Sequence, residues 1–363
     1  MRFLTFIALT QGLTINQAPL RPIDLQVKIA KEPTGSSRCT ANKNRLLDET
    51  NSKTYLKYVD STEKYSDPSF MADDSSLYWK QTPEDLARGN NSDVINMYTN
   101  SAWKRPSELV KGKCPSLWGS KGVRPNGVKQ GRLGDCWFLA AGSAIAEFPE
   151  RLQSIFLNED YSASGIFGFR MYYLGKPVEF NIDDRLAVST RSTPFNADKS
   201  ENHAWWMPLL EKAYAKFNIN YLQLNGGNEI EALRTLTGMP VITYKVHKHT
   251  TDEFFDLIHE GEKKNYIMTG GCMVSKHNIV DGHAYSVISA TTITTANGKK
   301  HRLVQVRNPW GAEQYNGPWS DKDDRWTPEL LKQLGRKKAD DGFFYMPIEI
   351  YVQTFVDVTI TKW

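Results

Sequence analysis

Cysteine is scarce: Cys39, Cys114, Cys136 and Cys272 are the four in 363 residues, far apart and with no C-x-x-C pair. That pattern argues for reduced thiols over a disulfide framework or a zinc site. An excess of one charge is also missing. The 45 Lys and Arg against 41 Asp and Glu leave a net +4, too little to argue for nucleic acid or an anionic membrane as a partner. No apolar run approaches the roughly 18 residues needed to span a bilayer. Internal repeats, long low-complexity segments and the D-x-D-x-D-G pattern of an EF-hand loop are absent as well. What remains is 40% hydrophobic, 24% charged and 12% aromatic, an ordinary globular composition with enough chain for one large domain or two to three smaller ones.

The opening MRFLTFIALTQGLT has one basic residue and a short apolar stretch from Phe3 to Leu9, at the lower length limit of a secretory signal. Thr10 and Gly12 are small enough for a cleavage point, but no A-x-A is present. Residues 1–12 are weighed as a signal peptide against an ordinary strand or tail. The stretch from Gln11 to Lys64 is polar and poor in periodic apolar positions, so residues 1–64 read as a tail or pro-segment. Tryptophan and tyrosine become frequent near Asp67, where the folded body is expected to begin.

From Cys136 to Phe148 the chain is Ala-rich and free of internal proline, which predicts a helix with Asp135 as N-cap and Pro149 just past its end. A second helix is expected over Trp205 to Lys216. Then LNGGNE, Leu224 to Glu229, interrupts the pattern ahead of the helical run EIEALRTL, and its paired Gly226 and Gly227 mark a candidate hinge. After Met239 the runs VITYKV, HAYSVISA, RLVQVRN and FVDVTI read as strands, with Asn297-Gly298 a hairpin signal. A helix-rich first lobe, 65–225, followed by a β-rich second lobe, 226–363, is an α+β arrangement.

QGRLGDCWFLA, Gln130 to Ala140, places a cysteine at the head of an apolar run, behind a glycine-punctuated turn. A thiol is nucleophilic as thiolate, and the partial positive charge of a helix N-terminus together with a neighbouring imidazolium would stabilise that anion. Among seven histidines, only His283, in DGHAYSVI, sits in a strand-like run behind a glycine. An imidazole needs an acceptor on its other nitrogen, and Asn308 in VRNPWG qualifies. A strict two-residue turn at Asn297-Gly298 would pair Asn308 with Val287 and leave His283 four residues, roughly 13 Å, further along the strand. A longer loop, a bulge or curvature must then close the gap. Gln130, with Gly131 and Gly134 allowing a tight return, could aim its carboxamide beside the Cys136 N–H as an oxyanion donor.

Other features have plainer readings. Trp205, Trp206, Trp319 and Trp326 are expected in the core or in subsite walls. His247 and His249 would share one side of a strand but lack a third ligand type, so exposure is expected. RKK at Arg336 to Lys338 reads as a solvated patch, and Cys39, Cys114 and Cys272 as bystanders.

QGRLGDCWFLAA, GHAYSV and VRNPWG together resemble the nucleophile, histidine and asparagine segments of the calpains, cysteine endopeptidases with a papain-like arrangement, in the same chain order. DPSF, ADDSSLYW, WKRPSEL, DDRL, LLEKAYAK and DGFFYM extend the resemblance over roughly residues 65 to 358. It implies an α+β papain-like fold of calpain type with the cleft between two lobes. It further implies Cys136 as nucleophile, His283 as general base and acid, Asn308 as its orienting partner, Gln130 in the oxyanion hole and Trp310 shielding the pair.

The resemblance also implies two calcium sites, and here the match thins. Gly127, beside Asn126, replaces an acid of the first lobe. Asp321 and Asp341 fit the second-lobe pattern, but Gln314 and Phe343 stand where acids are usual, so Ca²⁺ binding is expected to be weak if it survives. Protein substrates, a monomeric state and a cytoplasmic setting follow from the resemblance, or secretion if residues 1–12 are a signal. Ending at Trp363, the chain is expected to lack the lipid-binding and EF-hand modules of many calpains. The alternatives are a catalytically silent calpain-like scaffold and a papain-fold transferase.

Overall fold

The computed structural model describes residues 53–79, 92–110, 114–189, 191, 194–198, 203–335 and 338–363. The signal-peptide reading of residues 1–12, Cys39, and Arg336 and Lys337 of the basic patch lie outside them. Lys338 is described and exposed. The tail expected through residue 64 meets structure at its C-terminal end. A helix α1, Lys53–Tyr58, seats Tyr55 among Tyr65, Leu157 and Ile166.

The first lobe continues with α2 (Ser92–Tyr98), β1 (Ala102–Lys104), α3 (Pro106–Leu109), α4 (Cys136–Ile145), α5 (Pro149–Gln153), the hairpin β2 (Ile166–Tyr173) and β3 (Lys176–Asp183), β4 (Leu186–Val188), α6 (Trp206–Phe217) and α7 (Glu229–Thr237). The helix foreseen over Cys136 to Phe148 ends at Ile145, because Pro149 opens a new short helix at its first position rather than closing the old one. Every side chain from Trp137 to Ile145 is buried. α4 is therefore a central helix, apolar all round rather than amphipathic. The two short antiparallel pairs, β1 with β4 and β2 with β3, have no counterpart in the expected helix-rich lobe.

The motifs that carry no chemistry gather at one place. Lys212 of α6, wholly buried, pairs with Asp183 at 2.8 Å, and Arg185 pairs with the same carboxylate at 2.6 Å. Lys216, one turn on, reaches Asp67 at 2.6 Å, and the Asp67 N–H donates to Asp183 at 2.9 Å. Arg105 holds Asp184. DPSF, WKRPSEL, DDRL and LLEKAYAK are thus four sides of one buried ion network.

The second lobe comprises β5 (Val241–Lys245), α8 (Thr251–Lys263), β6 (Ile267–Cys272), β7 (His283–Thr294), β8 (Lys300–Arg307), α9 (Pro328–Gln333), β9 (Phe343–Pro347), α10 (Ile348–Thr354) and β10 (Asp357–Thr361). Its strands form one antiparallel sheet of six in the order β5-β10-β6-β7-β8-β9. α8 begins in a capping box between Thr250 and Glu253 and lays Phe254, Phe255 and Ile258 on the sheet. Trp319 and Trp326 fill a smaller cluster with Ile293 and Leu303, while Trp205 and Trp206 belong to the first-lobe core, so all four tryptophans are buried.

The helix after Gly226-Gly227 packs on the first lobe. Ala232, Leu233 and Leu236 of α7 lie in the same core as α4, and Gly238, left-handed at φ 67°, ends the helix ahead of the first strand of the sheet. Gly227 serves a different need from the expected hinge. A Cβ there would lie 2.2 Å from the Trp137 ring, and the indole N–H of Trp137 donates to the Leu224 carbonyl at 3.0 Å. LNGGNE is the seat of the tryptophan beside Cys136.

Candidate active site

The turn before Cys136 is held by main-chain bonds. The Gln130 N–H donates to the Pro309 carbonyl at 2.9 Å, across the lobes, and the Arg132 N–H donates to Phe195 at 2.8 Å. Gly131 passes so near Asn196 that a Cβ would lie 1.8 Å from its carbonyl oxygen, so no other residue fits that crossing. Cys136 is the first residue of α4, as expected, but Asp135 does not cap it through its side chain. The Asp135 carboxyl is instead fully buried beside Glu211 of α6, whose own oxygens accept from the Ala197 N–H at 3.0 Å. Burial pushes Asp135 up to about 6 and Glu211 well above the usual carboxylate range.

His283 opens β7, and Asn308 follows the last residue of β8. The gap left by a strict hairpin is halved by two devices. The turn is a five-residue loop, with Thr294 paired to Lys300, and a bulge falls between Val287 and Ser289. Together they set Arg307 opposite Ser286, so Asn308 comes level with Tyr285 and its side chain reaches His283 along the same face. The Nε2–H of His283 donates to Asn308 Oδ1 at 2.9 Å, and the Trp310 N–H donates to the same oxygen at 3.0 Å. Asn308 is wholly buried and His283 nearly so. The Trp310 ring, 37% exposed, lies 4.8 Å from the imidazole and covers it from solvent.

Cys136 packs against the cluster that holds Ala284, the residue directly after His283, and the main chain of Ala284 and of Trp137 lies near enough to act on the thiol. His283 and Asn308 are therefore paired at the end of the sheet, and Cys136 begins the helix that packs beside Ala284. Burial pushes the Cys136 thiol up to about 11, although both main-chain groups favour the thiolate. Burial also lowers His283 below its ordinary value, against the opposing effect of the Asn308 bond. Both shifts favour the neutral forms of the two groups. Gln130 does not aim as expected: its Nε2 donates to the Leu133 carbonyl at 2.8 Å. That bond occupies one of its two amide N–H groups, and the second remains for a ligand.

Residues 65–362 match the sequence profile of the calpain family cysteine proteases. This chain belongs to the calpain family. Among its relatives, rat Calpain-9 is 30% identical over 313 residues, 82% of this chain and 42% of the relative. Calpain clp-1 of Caenorhabditis elegans is 32% identical over 321 residues, 83% of this chain and 38% of the relative. Rat Calpain-8 is 33% identical over 310 residues, 80% and 41% respectively. The chain spans about two fifths of the length of these calpains. The crystal structure of SERA5E from Plasmodium falciparum covers 67% of this chain at 12% identity with a TM-score of 0.28, a likeness too loose to argue from.

In this calpain core the acids singled out in the second lobe are engaged by main chain. Asp321 Oδ2 accepts from the Ala339 N–H at 3.1 Å and Asp341 Oδ1 from the Phe343 N–H at 3.2 Å. Among the described residues no three His, Cys, Asp or Glu side chains are grouped as a metal cage, so the side chains here do not by themselves fit a tight calcium site. His247 and His249 are exposed, on and beside a short 3-10 turn. The expectation of reduced cysteines fails at Cys114, which is disulfide-bonded, while Cys136 and Cys272 are free. No helix among the described residues is long and apolar enough to cross a membrane. Sequence inspection missed Glu211 and Arg307, both wholly or almost wholly buried. A charged residue in a helix or at a strand end ordinarily reads as solvated, and no local pattern says otherwise.

Proposed function

We propose that this calpain core is a cysteine endopeptidase acting on protein substrates. The observation that carries the proposal is the His283 imidazole held through Nε2 by Asn308, on the strand whose next residue, Ala284, lies in the cluster against which Cys136 packs. In the proposed cycle Nδ1 of His283 takes the thiol proton as the sulfur attacks the peptide carbonyl carbon. The new S–C bond displaces the carbonyl π pair onto oxygen. That oxyanion is received by the Cys136 N–H and the second amide N–H of Gln130. The imidazolium returns its proton to the leaving amine, giving the acyl-enzyme. Water, losing a proton to His283, then releases the acid and restores the thiol. Asn308 keeps the ring in the tautomer that leaves Nδ1 bare, and Trp310 keeps water off that bond.

Calcium is assigned no step in this cycle. Turnover of a fluorogenic peptide, measured with calcium and with chelator beside Cys136→Ser, tests the proposal. Wild type should turn over and Cys136→Ser should lose about a thousand-fold or more. An intact wild-type protein that binds the peptide without cleaving it would favour a silent scaffold. One that acylates but releases product only to an added amine would favour a transferase. Mass spectrometry of the native N-terminus decides between cytoplasmic action and export directed by residues 1–12.

A further inference from the structure

Arg307, the residue before Asn308, is 1% exposed. A guanidinium taken out of water is costly unless its donors are used. Here none of its hydrogen bonds goes to a carboxylate. One terminal nitrogen donates to the Val128 carbonyl at 2.7 Å, the other to the Ser143 hydroxyl at 3.2 Å, and Nε has no partner. The guanidinium carbon lies 5.5 Å from the centre of the Phe343 ring. Burial lowers it to about 9, with Asp341 acting from a distance in the opposite direction.

Stability alone would be served as well by an apolar side chain of similar volume. Its contacts instead have a common address. Ser143 is on α4, the helix that Cys136 begins, and Val128 is two residues before Gln130. Arg307 itself leads into Asn308. One side chain of the β-rich lobe therefore touches the support of each first-lobe group in the proposed chemistry. Two weaker ties run parallel to it: the Ser286 hydroxyl donates to the Ala140 carbonyl at 2.8 Å, and the Gln130 N–H to Pro309 at 2.9 Å.

We propose that Arg307 is a positioning residue that fixes the register of the Cys136 helix against the His283–Asn308 pair. The inference rests on the functional reading above, and its test is chosen to keep the two apart. Labelling of Cys136 by iodoacetamide is followed from pH 5 to 9 alongside peptide turnover, each with calcium and with chelator. With the imidazole in place, labelling in wild type rises with the neutral form of His283, whose midpoint lies below the ordinary 6.5. In Arg307→Met that inflection should vanish, leaving only the titration of the thiol itself. kcat should fall about a hundred-fold, the scale of a misplacement near 1 Å, with KM within about three-fold of wild type.

Arg307→Lys, which keeps the charge and can reach one of the two acceptors, should recover part of kcat. Ser143→Ala should lose less than Arg307→Met, and the double variant should be no worse than Arg307→Met alone. A folded Arg307→Met with wild-type kcat and labelling midpoint overturns the proposal. So do losses in the two single variants that multiply. If Arg307→Met does not fold, Arg307→Lys decides: a folded protein with unaltered kcat and midpoint overturns the proposal. Absence of the inflection in wild type itself would instead sink the functional reading.

Discussion

At the residue scale, the proposed cycle turns on a proton passed from Cys136 to His283. Burial holds the thiol up and the imidazole down, so the competent form has the proton on sulfur and a neutral ring. A lowered histidine is neutral at pH values above its own pKa. The acid limb of kcat/KM, which reports the free enzyme, should therefore have its midpoint below 6.5, followed by a broad plateau. The Asn308 bond favours the charged ring. Asn308→Ala should move that limb still lower while forfeiting much of the roughly 10²- to 10⁴-fold that a well-placed imidazole contributes. A pH series of kcat/KM on both proteins checks the direction. A limb that moves upward in Asn308→Ala would contradict this account.

At the element scale, the turn into α4 depends on glycines used for closeness rather than flexibility. Gly227→Ala puts a methyl against the Trp137 ring and should cost about 1–3 kcal/mol, the usual penalty of overfilling a packed site. Turnover should fall with it, because Trp137 adjoins Cys136. Chemical denaturation together with turnover measures both effects. Elements also show what could be read in advance. Helices α4, α6 and α7 and strands β5, β7, β8 and β10 were legible because each has a period or a β-branched run of its own. The candidate residues Cys136, His283 and Asn308 stood out through their segments, and the pairing of the last two is present in the fold. The bulge beside Val287 was not, since nothing in SVISATT marks which residue goes unpaired. Nor was the use of Gly226-Gly227: paired glycines announce an interruption and are silent about what crowds against them. Asp135 has the residue type of an N-cap, but Glu211, distant in sequence, draws its carboxyl into the interior.

At the scale of the whole molecule, the first lobe is stabilised by an ion network as well as by its apolar core. Asp183 is held well below the usual carboxylate range. Its burial would raise it, but Lys212, Arg185 and the Asp67 N–H together outweigh that. Its contribution to stability is present above the ordinary value near 3.9 and is lost as pH falls through the lower folded-state value. Lys212→Met would strand part of that charge and should cost about 3–5 kcal/mol, read as a fall in the urea midpoint at pH 7. A midpoint within experimental error of wild type would remove the network from the account of stability.

The first-lobe cluster reaches into the sheet, taking in Val241, Ile267 and Ala284, while a second cluster lies between the sheet and its own helices. The halves are joined along α4 by these apolar contacts and by the polar ties of Ser286, Arg307 and Gln130. Such a seam parts at a smaller free energy than that needed to melt the halves it joins. On warming, any peptide turnover should fall before either half melts, which a thermal scan read by activity and by tryptophan fluorescence would check.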